Sequence, residues 1–294
     1  MAFSEAAVAP APSPYREPSR RILFVRSGGG MPGLDIHAGI WLALEEAGIV
    51  PTDLAGTSAG AIVSALQAAG HNAPFSAATV RGLTDSSVRA EVPLWKFRIP
   101  WLDHFLDNRP ILALLDSLLP PTFDALTLRF SAWATRLDTG QSVNVARPGI
   151  SPSPARAALA SMSICGVFPS VLLADGHAYV DGGVRRNLPL PANWRGFDEV
   201  WLLIAAGSPS DYQRRPGILT NLVRNVHYLM QDQIADVLEE VCGTPSVRVI
   251  WPSVRATRGV LHFDHDLIEQ AYVDAKAAIK AATTCPSTKG AASA

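Results

Sequence analysis

The chain has 294 residues, of which 48% are apolar and only 17% are charged, whereas an average soluble protein has about 25% charged residues. This composition excludes disorder over most of the length and predicts one large or two small domains. The 25 basic and 26 acidic residues give a net charge of −1. No global basic surplus exists to hold a polyanion, which argues against a dedicated nucleic-acid-binding protein.

Cysteine content and the amino terminus bear on cofactors and location. Cys165, Cys242 and Cys285 are too few and too scattered for a disulfide framework or a CxxC metal site. Residues 1–20 have no basic start followed by an apolar run, so no Sec signal peptide is predicted. Two uncharged stretches, at residues 54–80 and 157–174, are interrupted by glycine, serine, threonine or proline, and neither predicts a transmembrane helix. We expect a cytoplasmic protein, with peripheral membrane contact as a further expectation.

Short apolar strands alternate with helical patterns at the start of the chain. A first strand ends at the glycine cluster Gly28–Gly33, and a second leads into the tight turn Gly56–Gly60. Each turn is followed by apolar residues at helical spacing. This alternation predicts a parallel sheet covered by helices. The strands are predicted at residues 22–27 and 54–55, and the helices at residues 36–47 and 61–69.

The remainder of the chain continues the mixture of strands and helices. Asp138-Thr139-Gly140 separates two β-rich runs and predicts a hairpin. A continuous apolar run near residue 200 predicts a buried strand, and a long amphipathic pattern follows it. The predicted strands are residues 128–136, 142–146, 179–180, 199–205 and 247–251, and the predicted helices are residues 111–119, 153–162, 219–241 and 264–281.

The pentapeptide Gly56-Thr57-Ser58-Ala59-Gly60 fits the pattern G-x-S-x-G. A nucleophilic serine on a sharp strand-to-helix turn has a strained backbone, and side chains two positions away on either side would collide. The helix that follows also directs its amino-terminal amides toward the site where an oxyanion would form. The pattern therefore indicates a nucleophile, although small-residue runs also produce it by chance.

The loop Gly28–Gly33 has two functional interpretations. As G-x-G-x-x-G between a strand and a helix it fits a dinucleotide-binding loop, which requires an acidic residue at the end of the second strand. Here Asp53 comes before that strand. Alternatively, the amides of consecutive glycines form an oxyanion hole. A third motif, Asp181-Gly182-Gly183, is by itself a turn signal.

Six segments together resemble the patatin-like phospholipases and lipid acyl hydrolases. In chain order they are SGGGMPG, LALEEAGI, GTSAG, ATRLDTGQSV, ASMSICGVFPSV and YVDGGVRRNLPL, and the resemblance covers nearly all of residues 22–281. It implies a three-layer α/β/α fold with a mainly parallel central sheet, and hydrolysis of lipid carboxylic esters by a Ser–Asp dyad without histidine. The expected organisation is a flexible leader at residues 1–20, a catalytic domain at residues 21–282 and a disordered tail at residues 283–294.

The resemblance also assigns roles to individual residues. It implies that Ser58 is the nucleophile and Asp181 the general base, and that no metal or organic cofactor takes part. The glycine loop is expected to supply the oxyanion hole through Gly28, Gly29 and Gly30. The glycines that support the motifs are Gly33, Gly56, Gly60, Gly182 and Gly183.

This chain departs from the family pattern at two places. Many members have Arg or Lys just before the last loop glycine, where Pro32 stands here after Met31. A cation there would suit a lipid phosphate, so its absence weakens the expectation of phospholipid preference. Cys165 and Ser170 replace the usual prolines, which we expect to alter loop stiffness more than chemistry.

Other functional classes remain as alternatives. A nucleotide-binding protein would use Gly28–Gly33, and an interaction protein would use the same scaffold without catalysis. A Ser–Asp–His triad is formally allowed, but an α/β-hydrolase has several strands before its nucleophile and this chain has two. The candidate histidines, which we expect to be core or surface residues, are His227, His262 and His265.

Residues 92–106 are rich in aromatic side chains and interrupted by prolines. They form either a lid or membrane-facing patch near the site, or a loop that packs on the core. Arg185 and Arg186 follow Asp181 and either face anionic headgroups or form a solvated pair. The partner predicted is a lipid or acyl ester, with membrane-surface contact through Trp95, Phe97, Trp101 and Phe105.

Overall fold

The computed structural model describes residues 19–88, 90–91, 104–205, 218–254 and 261–281. The helices are α1 (Gly30–Glu46), α2 (Ala59–Ala68), α3 (Ala73–Gly82), α4 (Asp85–Val88), α5 (Arg109–Leu118), α6 (Pro154–Met162), α7 (Ile218–Val241) and α8 (Asp266–Lys280). The strands are β1 (Ile22–Arg26), β2 (Asp53–Thr57), β3 (Ala90–Glu91), β4 (Leu106–Asp107), β5 (Arg129–Arg136), β6 (Ser142–Asn144), β7 (Val171–Leu172), β8 (Ala178–Asp181), β9 (Glu199–Leu203) and β10 (Val247–Ile250).

The main sheet has the strand order β10-β9-β1-β2-β5-β8-β7, with β6 also paired to β5. Its five strands from β10 to β5 are parallel, with Phe24 of β1 opposite Leu54 of β2 and Trp201 of β9. The strands β6, β7 and β8 are antiparallel to their neighbours. The carboxyl ends of β1 and β2 therefore lie side by side, which brings the glycine loop next to the Gly56–Gly60 turn.

Each face of the sheet is covered by its own apolar core. Alternate residues of β1 face opposite sides, so Phe24 belongs to the larger core with α1 and α2, while Leu23 and Val25 belong to the smaller one. The smaller core includes Ile234 of α7. A continuous apolar strand such as β1 is typical of a parallel sheet that is buried on both faces. The predicted three-layer α/β/α arrangement with a mainly parallel sheet is confirmed.

Helix boundaries show which local signals were read correctly. Gly48 has φ +69° and ends α1, where its amide and that of Ile49 bond back to helical carbonyls. The helix nevertheless begins at Gly30, six residues before the predicted start. Glycine and proline had indicated a loop there, but Pro32 is tolerated because it stands in the first helical turn.

Two further differences concern helix starts. The helix α3 was not predicted; the Asn72 side chain caps it by accepting the Phe75 amide at 2.9 Å. The helix predicted at residues 264–281 begins at Asp266, and the His265 side chain at its cap position makes no capping hydrogen bond. The Asp264 amide is bound by the Asp35 carboxylate.

Several predictions fall outside the described residues. They are the leader up to residue 18, the tail at residues 283–294, and the aromatic residues Trp95, Phe97 and Trp101. Phe105 is described and is 41% exposed. Among the described residues, none of the helices combines the length and apolar character needed to cross a membrane.

Candidate active site

Ser58 lies on the sharp turn between β2 and α2. It has φ +54° and ψ −123°, and it is the one non-glycine residue with positive φ in the described part of the chain. Residues are held in such strained conformations when the surrounding structure overdetermines them. The Ser58 amide donates to Ser161 Oγ at 3.0 Å, and the Ser161 hydroxyl donates to the Trp133 carbonyl at 2.6 Å. The nucleophile candidate is thereby tied to β5.

The glycines on either side of Ser58 allow backbone segments to touch. A Cβ atom on Gly56 would lie 2.4 Å from the Gly60 carbonyl oxygen. A Cβ atom on Gly60 would lie 2.6 Å from the carbonyl oxygens of Arg26 and Ser27. Any side chain at these positions would force the turn away from β1, so the glycine requirement follows from the geometry.

Asp181 is the last residue of β8 and is fully buried. Its Oδ1 accepts the Gly183 amide at 2.7 Å, while Oδ2 makes no hydrogen bond of ordinary geometry with the described residues. Burial raises the pKa of Asp181 to about 6, and the Ser58 hydroxyl and the Gly183 amide act in the opposite direction. The fold thus brings Ser58 and Asp181 together across 123 positions of sequence.

The two glycines after Asp181 permit equally close approaches. A Cβ atom on Gly182 would lie 2.1 Å from the Trp133 carbonyl oxygen. A Cβ atom on Gly183 would lie 2.5 Å from Met230 Cε in α7. The loop that carries the acid is therefore held between β5 on one side and α7 on the other.

The glycine loop follows β1 and runs into the amino terminus of α1. The Gly28 amide is shared between two acceptors of one residue, Asn187 Oδ1 at 3.0 Å and the Asn187 carbonyl at 3.1 Å. The Gly28 N–H is thus bound within the protein in this structure, and its assignment as an oxyanion-hole donor stays a prediction. The amides of Gly29 and Gly30 donate no hydrogen bond to the described residues. They remain as donors at the positive end of the α1 dipole.

Close packing explains the other glycines of this loop. A Cβ atom on Gly28 would lie 2.5 Å from Asn187 Oδ1 and 3.2 Å from Ser58 Cβ. A Cβ atom on Gly33 would lie 3.1 Å from the Ala59 side chain. The loop and the Ser58 turn are consequently in direct contact, and side chains in the loop would separate them.

Ser58 lines an apolar pocket with a cavity volume of about 60 Å³. Of its described lining residues, Ser58 alone carries a polar side chain. The pocket reaches between α1, α2 and α5, and its lining includes Leu34, Ile62, Leu115 and Phe168. A pocket of this kind favours an apolar group, since no described lining residue could solvate a charge.

Two histidine–carboxylate pairs hold one wall of this pocket. Asp85 Oδ2 lies 2.7 Å from His262 Nδ1, and its Oδ1 accepts the Phe263 amide at 3.0 Å. In the same way Asp35 Oδ1 lies 2.7 Å from His265 Nδ1. Phe263 lines the pocket between them. His262 and His265, two of the three candidate histidines, thus have structural partners, which agrees with their expected role as core or surface residues. The side chain of the third, His227, is outside the described part.

The dinucleotide alternative receives no support from the position of Asp53. This residue begins β2, at the end of the strand opposite to Ser58. Its carboxylate forms ion pairs with Arg21 at 3.3 Å and Arg129 at 3.7 Å. A ribose-binding acid would have to lie at the carboxyl end of the strand, beside the glycine loop.

The two arginines after Asp181 have different environments. Arg185 is exposed. Arg186 is half-buried, and its guanidinium lies 5.0 Å from the centroid of the Trp133 ring. No group of three or more His, Cys, Asp or Glu side chains that could hold a metal ion occurs in the described ranges.

Three residues next to the site were missed by sequence reasoning. Ser161 and Asn187 lie within the segments ASMSICGVFPSV and YVDGGVRRNLPL, so the family segments contained them without giving them a role. Gln233 contacts the loop after Asp181 through three hydrogen bonds. It stands within a long amphipathic helix, and no local signal distinguishes it there.

Comparison with known proteins gives a family match over most of the site. Residues 24–194 match the family model described as patatin-like phospholipase. An uncharacterized NTE family protein of Mycobacterium tuberculosis is 32% identical over 171 residues, which is 58% of this chain and 27% of that protein. The human patatin-like phospholipase domain-containing protein 6 is 31% identical over 170 residues, which is 57% of this chain and 12% of that protein.

A solved structure with lower similarity is that of VipD from Legionella pneumophila. It aligns with a TM-score of 0.47 and 13% sequence identity, over 90% of this chain and 67% of that one. The sequence relatives are longer proteins, and this chain covers about a quarter or less of the two described above.

Proposed function

Because the chain belongs to the patatin-like phospholipase family, we propose that it hydrolyses carboxylic esters of lipids with Ser58 as nucleophile and Asp181 as general base. The observation that carries this proposal is the strained Ser58, which lies beside a buried carboxyl group and lines an apolar pocket. An acyl chain in the pocket would bring its ester carbonyl to the Ser58 hydroxyl. The alcohol part of the ester would stay outside the pocket.

In the first half of the reaction, Ser58 Oγ forms a bond to the acyl carbonyl carbon while its proton moves to Asp181. The carbonyl oxygen becomes an oxyanion, for which the amides of Gly29 and Gly30 are the proposed donors. When the tetrahedral intermediate collapses, the ester C–O bond breaks. The leaving alcohol takes the proton from Asp181, and an acyl-enzyme remains.

The second half repeats these steps with water. Asp181 takes a proton from water as the water oxygen bonds to the acyl carbon. Collapse breaks the bond to Ser58 Oγ, which recovers the proton, and the fatty acid is released. One carboxyl group thus transfers a proton in both halves, so no histidine is needed.

The raised pKa of Asp181 predicts a particular pH dependence. The base must be ionised to accept the Ser58 proton, and burial places its pKa at about 6. We expect kcat/KM to fall below pH 6 in the free enzyme, following a single ionisation, and to be level above it. A profile of p-nitrophenyl ester hydrolysis would show this, and constant activity down to pH 4 would contradict it.

The decisive experiment compares Ser58→Ala and Asp181→Asn with the wild type on p-nitrophenyl esters and phospholipid vesicles. Both changes should abolish hydrolysis, and Ser58→Ala should also abolish labelling by a fluorophosphonate probe. Ser117→Ala and Asp116→Asn are matched controls, because both residues are exposed on α5. If Ser58→Ala hydrolysed esters at the wild-type rate while folded, the proposed nucleophile would be wrong.

A further inference from the structure

The loop after Asp181 and the glycine loop are joined by hydrogen bonds through α7. The Gln233 amide nitrogen donates to the carbonyls of Gly183 at 3.0 Å and Val184 at 3.2 Å. Gln233 Oε1 accepts the Asn187 amide at 2.8 Å. One side chain therefore uses its donor and its acceptor ends to close the loop between Gly183 and Asn187.

Asn187 continues this connection to the glycine loop. Its side chain is 1% exposed, and its Oδ1 accepts the Gly28 amide. Its Nδ2 donates to the Met230 carbonyl of α7 at 3.4 Å. A buried amide has few alternative partners, so breaking one of these bonds leaves a polar group unsatisfied.

The two ends of this network are the two sides of the proposed catalytic site. At one end Gly183 donates to Asp181 Oδ1, and at the other Gly28 precedes Gly29 and Gly30, whose amides have no acceptor among the described residues. We propose that Gln233 and Asn187 are positioning residues that hold the base and the oxyanion donors in register, Gln233 on the base side and Asn187 on the glycine-loop side. This inference rests on the proposed ester hydrolysis.

Neither residue contacts the reacting atoms, so each acts through the backbone it binds. Acyl transfer requires the nucleophile, the base and the oxyanion donors within a fraction of an ångström of their working geometry, and a displacement of about 1 Å can lower the rate about 10²-fold. The nearby contact of Thr57 Oγ1 with the Arg186 carbonyl, at 2.9 Å, binds the same loop directly to the Ser58 turn. The hydrogen bonds of Gln233 and Asn187, together with this contact, therefore connect the loop after Asp181 to both the glycine loop and the Ser58 turn.

The test uses Gln233→Glu, which keeps the acceptor for the Asn187 amide but turns the donor toward Gly183 and Val184 into a carboxylate oxygen. Repulsion between this oxygen and the two carbonyls should displace the loop. We expect kcat to fall about 10²-fold with KM changed by less than about threefold. Gln270→Glu, an exposed residue of α8, is the matched control and should retain the wild-type kcat.

The pH profile separates positioning from a general loss of structure. Release of Gly183 removes a hydrogen bond that stabilises the ionised Asp181. The acidic limb of kcat/KM should therefore move to higher pH in Gln233→Glu. Asn187→Ala removes the Oδ1 acceptor of Gly28 on the other side of the site, so it should lower kcat without moving that limb. An unshifted limb in Gln233→Glu, or a shifted one in Asn187→Ala, would overturn the division of roles.

A second variant and a second measurement keep the inference testable if Gln233→Glu does not fold. Gln233→Ala removes the hydrogen bonds without adding charge, and hydrogen exchange of the Gly28 and Gly183 amides reports the network directly. Faster exchange of Gly183 in Gln233→Ala and of Gly28 in Asn187→Ala supports the network, and unchanged exchange overturns it.

Wild type and Ser58→Ala are assayed in parallel. If these two proteins hydrolyse the ester at equal rates, the proposed function is wrong and the positioning roles are wrong with it. If they differ but Gln233→Glu matches the wild type, only the positioning inference fails.

Discussion

At the scale of single residues, Asp181 shows how burial connects reactivity with stability. Its pKa of about 6 lies above the ordinary value of 3.8 because burial disfavours the charged form. The native state therefore holds the proton more tightly than the unfolded chain does. The stability that this group contributes is present below about pH 4 and is lost as the pH rises through 6.

We therefore expect Asp181→Asn to be more stable than the wild type at neutral pH, by up to about 3 kcal/mol in the free energy of unfolding. The neutral amide removes the buried charge and can still accept the Gly183 amide. Urea unfolding at neutral pH and at pH 4 checks this, because the advantage should shrink when Asp181 itself becomes protonated. Equal stability of the two proteins at neutral pH would contradict the expected ionisation state.

At the scale of elements, the turn between β2 and α2 depends on the contact of α2 with β1. This contact is backbone to backbone at Gly60, so the position of Ser58 depends on the absence of a side chain two residues later. The packing of the first turn of α2 against the end of β1 maintains the strained backbone at Ser58.

Gly60→Ala should lower the free energy of unfolding by about 1–3 kcal/mol, because an added methyl group in a packed interior forces the backbone to move. Activity should fall more steeply than stability, since the same movement displaces Ser58. Gly82→Ala is the matched control; it ends α3 and has no atom within 4 Å of the added Cβ. Thermal unfolding and ester hydrolysis of both variants check this, and equal behaviour would show that the turn relaxes freely.

The junction of α1 with the segment before α8 provides a second element-scale prediction. Both ring nitrogens of His265 face acceptors, Asp35 Oδ1 at 2.7 Å and the Leu83 carbonyl at 3.0 Å. Burial disfavours the charged ring, but these acceptors outweigh it and raise the pKa of His265 above its usual 6.5. The stability that His265 contributes is therefore fully present when the pH is below 6.5. It is lost as the pH rises through the raised pKa of the folded state.

We expect the wild type to lose more stability than His265→Gln when the pH is raised from mildly acidic to alkaline. The reason is that only the wild type loses a proton from this junction. Melting temperatures of both proteins across that range measure the difference. Parallel curves would mean that His265 keeps a constant charge.

At the scale of the whole molecule, the apolar pocket and the charged surface are separate. The described lining of the pocket carries no charge, and Pro32 stands where a cation could have met a phosphate. Arg185 is exposed beyond the buried Asp181. Under the proposed function, we therefore expect the acyl chain, rather than the headgroup, to bind in a defined pocket. Membrane contact through Trp95, Phe97 and Trp101 stays a prediction, since those residues lie outside the described ranges.

This separation predicts weak discrimination between phospholipids and neutral acyl esters presented at equal surface density. Hydrolysis rates on mixed micelles that differ only in the headgroup measure it, with Ser58→Ala as the blank. A strong preference for phospholipid that disappeared in Arg185→Ala would instead place a phosphate contact at that arginine.

The sequence alone was sufficient to predict the fold class and to name the residues that are proposed to react. Strand ends, glycine turns and apolar spacing are local properties, and they identified β1, β2 and the Ser58 turn. The family segments added Asp181, which no local signal distinguishes from an ordinary turn residue. The helix α3 was missed, and the start of α1 was placed too late, because glycine and proline indicate a loop even where a first helical turn tolerates them.

Tertiary structure alone decided how the parts of the site are held. The Gly28 amide donates to Asn187 Oδ1, an acceptor 159 residues away, and no local pattern in the sequence indicates this contact. Gln233 bonds to a loop about 50 residues earlier in the chain. Such contacts depend on how α7 packs over the end of the sheet, and a single hydrogen bond between distant side chains leaves no periodicity or spacing in the sequence. The residues proposed for the chemistry could therefore be named from the sequence, whereas the hydrogen bonds that align them required the fold.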